Sequence, residues 1–294
     1  ETVCTLAPFT LGQEFKQPGS PYPNGKFAVD CHDIDWGQYD IVISINVSLP
    51  TTVVRHYPKT LFAYMIGEAN MATGSVHFGY DATLNQMARG IIAKQCGIVD
   101  FPYTFVGSDT LERIMRQHLG RASKKKGIFM EINSTTERPV TKAPTHFQPL
   151  IDAGYEIILH KQKISDNLMS IYDAKYFVKM GGRTIRGNSV AEAVSLGALA
   201  IMDRDEVIHK ELIIDECHVK TMEEMVNLIN RLEKSNSLYQ DLLDKQRAAL
   251  QHYFFNCPLK SLTNCLEDKR RRGTAAPYTW WNRIADRLCF LKIK

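Results

Sequence analysis

The sequence contains no long apolar run and no strong excess of charge of either sign. None of its hydrophobic stretches reaches the roughly 18 residues that a membrane-spanning helix needs, and no signal-peptide pattern opens the chain. The formal net charge of the 294 residues is +4, which is too small for a protein dedicated to nucleic acid. These absences predict a cytoplasmic globular protein without a nucleic-acid partner. The chain begins at Glu1, which is compatible with a piece of a longer protein.

Cysteine is present, but no cysteine pattern typical of a metal site occurs. The seven cysteines are an odd number with wide spacings, and none forms a Cys-x-x-Cys or Cys/His cluster with zinc spacing. We therefore expect free, mostly buried thiols in a reducing compartment and no metal. The seven positions are Cys4, Cys31, Cys96, Cys217, Cys257, Cys265 and Cys289.

The pattern of apolar runs is typical of an α/β protein. In the second half, short apolar runs alternate with helical segments, which indicates βαβ units and a parallel sheet. Similar runs in the first half suit strands that are buried on both faces. The predicted strands are 26–30, 39–45, 60–66, 80–86, 127–132, 155–160, 176–179 and 198–202. The predicted helices are 108–119, one ending near 153, 166–174, 190–196 and helical segments from 222 to about 255.

These elements predict two Rossmann-like α/β halves, joined between residues 105 and 127 and followed by C-terminal helices. We place residues 1–120 in the first domain and residues 121–294 in the second, which then includes the terminal helices. Ligands of such folds bind at the carboxyl ends of the strands. In a two-domain form they bind in the central cleft between the halves.

One interpretation of residues 181–206 is purely structural. Ser189 and Glu192 have the spacing of a capping box, in which the serine accepts from a first-turn amide and the glutamate reaches back to the serine amide. Gly197 then ends the helix in a left-handed conformation. In this interpretation Arg183 and Arg186 are solvated loop residues.

The other interpretation of the same segment is an anion-binding site. A helix N-terminus carries partial positive charge and unpaired amides, and it would follow a strand directly. Gly181, Gly182 and Gly187 allow a ligand to approach the backbone closely. Arg183 and Arg186 precede the helix, and a guanidinium binds phosphate through two parallel hydrogen bonds. Both interpretations remain open, and a serine-capped helix is compatible with diphosphate binding.

A longer stretch of the second half resembles the donor-binding half of GT-B glycosyltransferases. The resemblance covers residues 125–215 and lies in the order of three segments, YEIILH (155–160), NLMSIYDAK (167–175) and GNSVAEAVSLGALAI (187–201). It implies a GT-B fold with an acceptor-side first domain and a nucleotide-sugar-binding second domain. The implied partners are a nucleotide sugar and a glycan acceptor.

The resemblance also implies roles for individual residues. Glu192 would bind the ribose hydroxyls, and Asn188, Ser189 and Gly187 would lie near the diphosphate. Arg183 or Arg186 would neutralise the diphosphate. In addition, Arg138 in the loop after the first strand of this half would reach the phosphates, and His160 at the end of a strand would approach the nucleotide base.

The sequence departs from one branch of this superfamily. Many retaining members carry two glutamates eight positions apart, whereas Thr184 stands eight positions before Glu192. The arginine-rich approach to the helix is more similar to inverting, exostosin-like or fucosyltransferase-like members. This implies inversion, a UDP-linked donor such as UDP-xylose, and no metal cofactor, since arginine and the helix dipole would supply the positive charge.

An inverting transfer needs a general base for the acceptor hydroxyl. Glu68 is our first candidate, because it follows the predicted strand 60–66 in a glycine-containing loop. His77 and Asp81 are the alternatives, in the segment that leads to the next predicted strand.

Two competing hypotheses follow from other features of the chain. The triplets Asp33-Ile-Asp35 and Asp203-Arg-Asp205 are the pattern that metal-dependent GT-A glycosyltransferases use to hold a cation and the donor diphosphate. Alternatively, the chain is a non-catalytic nucleotide-sugar- or glycan-binding module of a larger glycan-assembly protein.

The C-terminal tail, residues 278–294, has the pattern of an amphipathic helix. Trp280, Ile284, Leu288 and Leu291 fall on one helical face, with basic residues elsewhere. We expect this face to pack on the protein or to contact a membrane surface peripherally.

Overall fold

The computed structural model describes residues 5–7, 28–30, 34–45, 49, 51–66, 80–85, 97–100, 106–131, 143–160, 164–182 and 184–273. The chain divides into two compact units. The first unit contains Glu1–Phe101 together with Leu259–Lys294, and the second unit contains Pro102–Pro258. The sequence prediction drew a single boundary at residue 120 instead.

The first unit contains a four-stranded parallel sheet with strand order β3-β4-β5-β6, and a separate parallel pair formed by β1 and β2. The central strand β4 reads Leu-Phe-Ala-Tyr-Met-Ile, and its first five side chains are buried. Such a strand is apolar throughout because both faces of a parallel sheet are covered. The elements of this unit are β1 (Thr5–Ala7), β2 (Ala28–Asp30), β3 (Ile41–Ile45), α1 (Thr51–His56), β4 (Leu61–Ile66), β5 (Ala82–Asn85) and β6 (Gly97–Asp100).

The second unit contains another four-stranded parallel sheet, with strand order β10-β9-β7-β8. All four residues of β9 and of β10 are buried, as the continuous apolar runs predict. The elements from residue 106 onwards are α2 (Thr110–Leu119), β7 (Ile128–Met130), α3 (Gln148–Asp152), β8 (Ile157–Leu159), α4 (Ile164–Asp173), β9 (Tyr176–Lys179), α5 (Asn188–Ser195), β10 (Leu199–Met202), α6 (Met222–Lys234), α7 (Asn236–Gln251) and α8 (Cys257–Arg272).

The predicted fold class is confirmed as α/β, with a parallel sheet in each unit and C-terminal helices. The predicted strands and helices are present in the described residues, with bounds that differ by a few residues. Two short elements, α1 and β6, were not predicted. Both are too short for their periodicity to be visible: β6 has only two apolar residues between Gly97 and Asp100.

The C-terminal helices extend beyond the predicted end near residue 255. A π-helical turn, His252–Asn256, joins α7 to α8 without a break. From Leu259 onwards α8 belongs to the first unit, where Leu262 and Leu266 pack in one cluster with the buried side chains of β4 and β5. The polar run near the end of α8 concealed this helix, because its apolar positions are sparse.

Three cysteines within the described residues, Cys217, Cys257 and Cys265, are free thiols. In the same part of the chain, no helix combines the length and the apolar character needed to cross a membrane. The tail at residues 278–294 lies outside the described residues, so its predicted packing or membrane contact stays a prediction.

Gly197 takes the left-handed conformation that the sequence predicts, with φ of 80°. A Cβ atom at this position would lie 2.8 Å from a side-chain nitrogen of Arg247, 2.9 Å from Lys125 Nζ and 3.1 Å from Glu112 Oε2. These side chains form a partly buried charged cluster in which Lys125 Nζ donates to the carbonyl of Leu196 (2.6 Å). The φ angle therefore favours glycine, and a Cβ atom here would in addition displace the ends of these three charged side chains.

We expect Gly197→Ala to lower the free energy of unfolding by about 2–4 kcal/mol, because it combines left-handed strain with disruption of the charged cluster. The matched control is Gly120→Ala, since Gly120 has φ of 62° and a Cβ there would meet no atom within 4 Å. This control should lose only about 1 kcal/mol, the strain alone. Urea denaturation measures both values, and equal losses would contradict the packing argument.

Candidate functional site

The order of strands in the second unit defines a topological switch point at the carboxyl ends of β7 and β9, the position at which open α/β sheets form a ligand-binding crevice. The chain goes from β7 to β8 on one side, and β9 then pairs with the other side of β7. The strands that follow β7 and β9 in the chain, β8 and β10, consequently lie on opposite sides of this pair, which is the arrangement at which ligands bind in open α/β sheets. Glu131 directly follows β7, and its amide donates to the carbonyl of Val178 in β9 (2.9 Å).

Helix α5 begins next to this crevice, after the connection from β9. Its N-cap is Gly187, with φ of 113°, and the amide of Ala191 donates to the Gly187 carbonyl (2.9 Å). A Cβ on Gly187 would lie 3.1 Å from Cγ2 of Val207, so both the conformation and the space favour glycine.

The predicted capping box is wrong. Ser189 is the second residue of α5 instead of its N-cap, and within the described residues no side chain caps this helix. The reason is that the left-handed Gly187 lets the chain enter the helix two residues before the predicted start at Val190. Because glycine has no side chain, the first-turn amides of α5 receive no acceptor from the cap residue.

Glu192 is largely buried in α5, about one turn from its beginning. Burial raises the pKa of its carboxyl group to about 7, and the negative charge of Glu131 contributes further to this rise. Two carboxylates thus act on each other beside the switch point. A buried carboxylate that retains its charge needs donors, and the hydroxyl groups of a ligand are suitable ones.

Asn188, the first residue of α5, adds a second acceptor. Its Oδ1 atom is buried and has no hydrogen-bond partner among the residues that the structure describes. Arg186 is half-buried two residues earlier. This part of the predicted donor-binding set, Arg186 to Glu192, is therefore contiguous with the start of one helix.

His160 follows β8, on the far side of β7 from β9. Its ring lies against Phe129, with centroids 6.3 Å apart, and its Nε2 lies 3.1 Å from Nδ2 of Asn167 in α4. These contacts hold the ring at the carboxyl edge of the sheet. The predicted role of His160 towards a nucleotide base stays a prediction.

Two residues near the crevice were not singled out from the sequence. Glu131 was placed inside the predicted strand 127–132, although β7 ends at Met130. His146 lies in a 3₁₀ turn, Thr145–Phe147, and its Nε2 is 3.1 Å from the carbonyl oxygen of Met180. A glutamate at the end of an apolar run was a usable signal for Glu131, whereas no local pattern indicated His146.

The remaining predicted site residues divide into two groups. Arg138, Arg183, Glu68 and His77 lie outside the described residues. Asp81, just before β5, is described: its Oδ2 atom accepts from Lys269 Nζ (2.6 Å) and from the amide of Phe62 (2.8 Å). This carboxylate links α8 to β4, and the catalytic role predicted for it stays a prediction.

The aspartates of the two DxD triplets that are described take part in local turns. Asp203 accepts from the amide of Asp205 (2.9 Å), and Asp205 pairs with Lys210 (2.6 Å). In the other triplet, Asp35 accepts from the amide of Gly37 (3.0 Å), while Asp33 lies outside the described residues. Among the residues that are described, no three His, Cys, Asp or Glu side chains group in a way that could hold a metal ion.

Comparison with known proteins gives structural similarity only. No protein-family profile and no curated protein matches the chain. Among solved structures it is similar to a DNA-modifying β-glucosyltransferase determined with and without uridine diphosphoglucose, at 14% identity over 84% of this chain and 85% of that one, with a TM-score of 0.42. It is also similar to T4 phage β-glucosyltransferase in complex with UDP-glucose, at 13% identity over 84% and 86% of the two chains, with a TM-score of 0.44. At TM-scores below 0.5 these similarities assign neither a function nor a residue role to this chain.

Proposed function

We propose that the protein is a glycosyltransferase of the GT-B type, and that its second unit binds the nucleoside diphosphate part of a nucleotide sugar. The observation that carries the proposal is the position of Glu192. This buried carboxylate, beside Glu131, lies on a helix that starts at a left-handed glycine next to a topological switch point. This arrangement supports a site in which carboxylates accept hydrogen bonds from hydroxyls and helix amides bind phosphates.

In the proposed complex the diphosphate lies at the N-terminus of α5. The helix dipole and the first-turn amides of Asn188 and Ser189 favour its negative charge. Arg186 and Arg183, and also Arg138 from the loop after β7, neutralise the remaining charge. Glu192 accepts hydrogen bonds from the ribose hydroxyls, and His160 contacts the base.

The proposed reaction is a single in-line displacement at the anomeric carbon of a UDP-linked sugar such as UDP-xylose. An acceptor hydroxyl oxygen on a glycan forms the new bond to C1, while the bond from C1 to the β-phosphate oxygen breaks and UDP leaves. Glu68 takes the proton of the acceptor hydroxyl, and the configuration at C1 is inverted. Because arginine and the helix dipole stabilise the departing diphosphate, we propose that no metal is needed.

Thermal and chemical denaturation in the presence of UDP test the binding step. At a UDP concentration of about 100 times Kd, we expect the free energy of unfolding of the second unit to rise by about 2.7 kcal/mol. Uridine, which lacks the diphosphate, is the control and should stabilise much less. EDTA should leave the effect of UDP unchanged. If no nucleoside diphosphate stabilises the protein, the proposed function is wrong.

Turnover separates an enzyme from a binding module. Incubation with a panel of UDP-sugars should give slow donor hydrolysis, and addition of an acceptor should accelerate UDP release. Glycan acceptors are the proposed class, and duplex DNA belongs in the panel because one of the similar structures is a DNA-modifying enzyme. NMR of the product's anomeric proton then shows whether the configuration at the anomeric carbon is inverted or retained. Binding of UDP without any turnover would favour the non-catalytic module.

A further inference from the structure

The loop between β9 and α5, residues 180–187, is held by one glutamate. Gly181 and Gly182 both have positive φ angles, 75° and 79°. Glu206, in a 3₁₀ turn after β10, accepts from the Gly181 amide through Oε1 (2.5 Å). Its Oε2 atom accepts from Lys179 Nζ (2.7 Å), which also donates to the Gly181 carbonyl (2.8 Å).

The same glutamate also fixes the second half of the loop through its backbone. The amide of Ile185 donates to the Glu206 carbonyl (2.8 Å), and the amide of Ile208 donates to the Ile185 carbonyl (2.9 Å). Ile185 thereby forms a short parallel bridge with Val207. Gly181 and Ile185 are therefore both anchored on Glu206, and Arg186 and Gly187 follow Ile185 directly in the chain.

Fold stability does not explain why an ion pair occupies this position. The Lys179 side chain is 1% exposed and the Glu206 side chain 19%. Removing two charges from water offsets most of their attraction, and hydrophobic replacements of such pairs are often neutral or stabilising. What an apolar pair would not supply is an acceptor for the Gly181 amide. A Cβ on Gly181 would meet no atom within 4 Å, so side-chain packing does not restrain this residue.

We infer that Glu206 is a positioning residue for the nucleotide site, and that its contacts with Gly181 and Ile185 keep Arg186 and the start of α5 in the conformation that binds diphosphate. The inference rests on the proposed function. A loop already ordered before binding loses less conformational freedom on binding, and this raises affinity. Glu206 acts through the loop and does not touch the nucleotide.

Two double variants separate positioning from folding. Lys179→Met combined with Glu206→Leu removes both charges and the acceptor for the Gly181 amide. Lys179→Met combined with Glu206→Gln removes both charges but retains a carbonyl acceptor, and its amide nitrogen can take over the donation to the Gly181 carbonyl. By calorimetry with UDP, we expect the leucine variant to bind about tenfold more weakly than wild type. The glutamine variant should recover most of this loss, at similar melting temperatures for the two.

A glycine pair keeps the inference testable if a double variant does not fold. Gly181→Ala disturbs the loop directly, because alanine is strained at φ of 75°. Gly154→Ala is the matched control: Gly154 has φ of 86°, is exposed, and a Cβ added there would also meet no atom within 4 Å. Both variants should lose similar stability, but only Gly181→Ala should weaken UDP binding, by several-fold.

The outcomes distinguish the inference from the function on which it rests. If wild-type protein does not bind UDP or any other nucleoside diphosphate, the proposed function fails and the positioning role fails with it. If wild type binds UDP and both the leucine variant and Gly181→Ala bind it equally well, the positioning role alone is overturned.

Discussion

Glu192→Gln should make the second unit more stable above pH 7 and, at the same time, weaken its binding of UDP. Most substitutions in a buried position destabilise, so a gain in stability with a loss of binding would mark a residue kept for function. Both effects follow from the buried carboxyl group, whose pKa lies at about 7 instead of 4.5.

The sign of the stability effect follows from proton binding. Between pH 4.5 and 7 the folded state retains a proton on Glu192 that the unfolded state has released, so the stability of the wild type falls as pH rises through this window. The fall amounts to about 3 kcal/mol and is nearly complete about one pH unit above 7. A neutral glutamine does not titrate, so the stability of the variant does not undergo this fall. Its advantage over wild type should therefore grow over the same pH range as the fall and then remain constant.

The loss of binding arises because a neutral amide is a weaker acceptor than a carboxylate and offers only one acceptor oxygen. We expect UDP to bind roughly 10–100-fold more weakly to Glu192→Gln. The affinity of wild type should rise as pH increases through 7, since ionised Glu192 accepts from hydroxyls more strongly. Urea denaturation and UDP titration at pH 5 and pH 8 measure both effects.

Glu131→Gln is the matched control for this prediction. Burial is the larger cause of the raised pKa of Glu192 and the charge of Glu131 the smaller one, so this variant should remove only the smaller part of the pH dependence. If Glu192→Gln lowers stability at pH 8 and leaves UDP affinity unchanged, Glu192 has a structural role and the proposed ribose contact is wrong.

Strands with continuous apolar sequence could be predicted, because burial of both faces of a sheet requires apolar residues at successive positions. β9 was predicted with its observed bounds, Tyr176–Lys179, and β10 begins one residue after its predicted start. The left-handed end of α5 at Gly197 was equally visible, since few residues other than glycine adopt that conformation. The apolar strands and the glycine at the end of α5 could each be predicted from residues that are neighbours in sequence.

The start of α5 could not be settled in this way, because two local rules competed there. Ser189 and Glu192 match a capping box, whereas Gly187 permits an earlier, glycine-initiated start. The earlier start prevails because the chain pairs Ile185 with Val207 just before the helix, a contact across 22 residues that local patterns do not contain. Since no side chain of the described residues caps α5, the cap residue does not compete with a ligand for the first-turn amides, and this supports the binding interpretation.

Most of the site features that could not be predicted depend on contacts between residues that lie far apart in sequence. The strand order that places Glu131 at a switch point depends on which strands pair, and apolar runs do not specify pairing. The anchoring of the β9–α5 loop on Glu206 joins residues 25 positions apart. Both features need the folded sheet, although each residue stands directly after or near a strand whose existence was predicted.

The catalytic base is the part of the proposal with the largest expected effect on rate. Glu68→Gln should reduce transfer by about 10²–10⁴-fold while UDP affinity remains within a factor of about two, because a general base acts on the acceptor hydroxyl and not on the nucleotide. Single-turnover transfer and UDP titration on the same preparation measure the two effects separately.

Asp81→Asn is the control variant for the prediction that Glu68 is the general base. Asp81 already accepts from Lys269, which also lies over the ring of Phe62 at 5.0 Å, and from the Phe62 amide. Asparagine would leave the ammonium of Lys269, whose side chain is 11% exposed, without its counter-charge. We therefore expect Asp81→Asn to lower the free energy of unfolding by about 1–3 kcal/mol and to retain transfer. A loss of transfer in Asp81→Asn at unchanged stability, with Glu68→Gln still active, would exchange the two roles and make Asp81 the base.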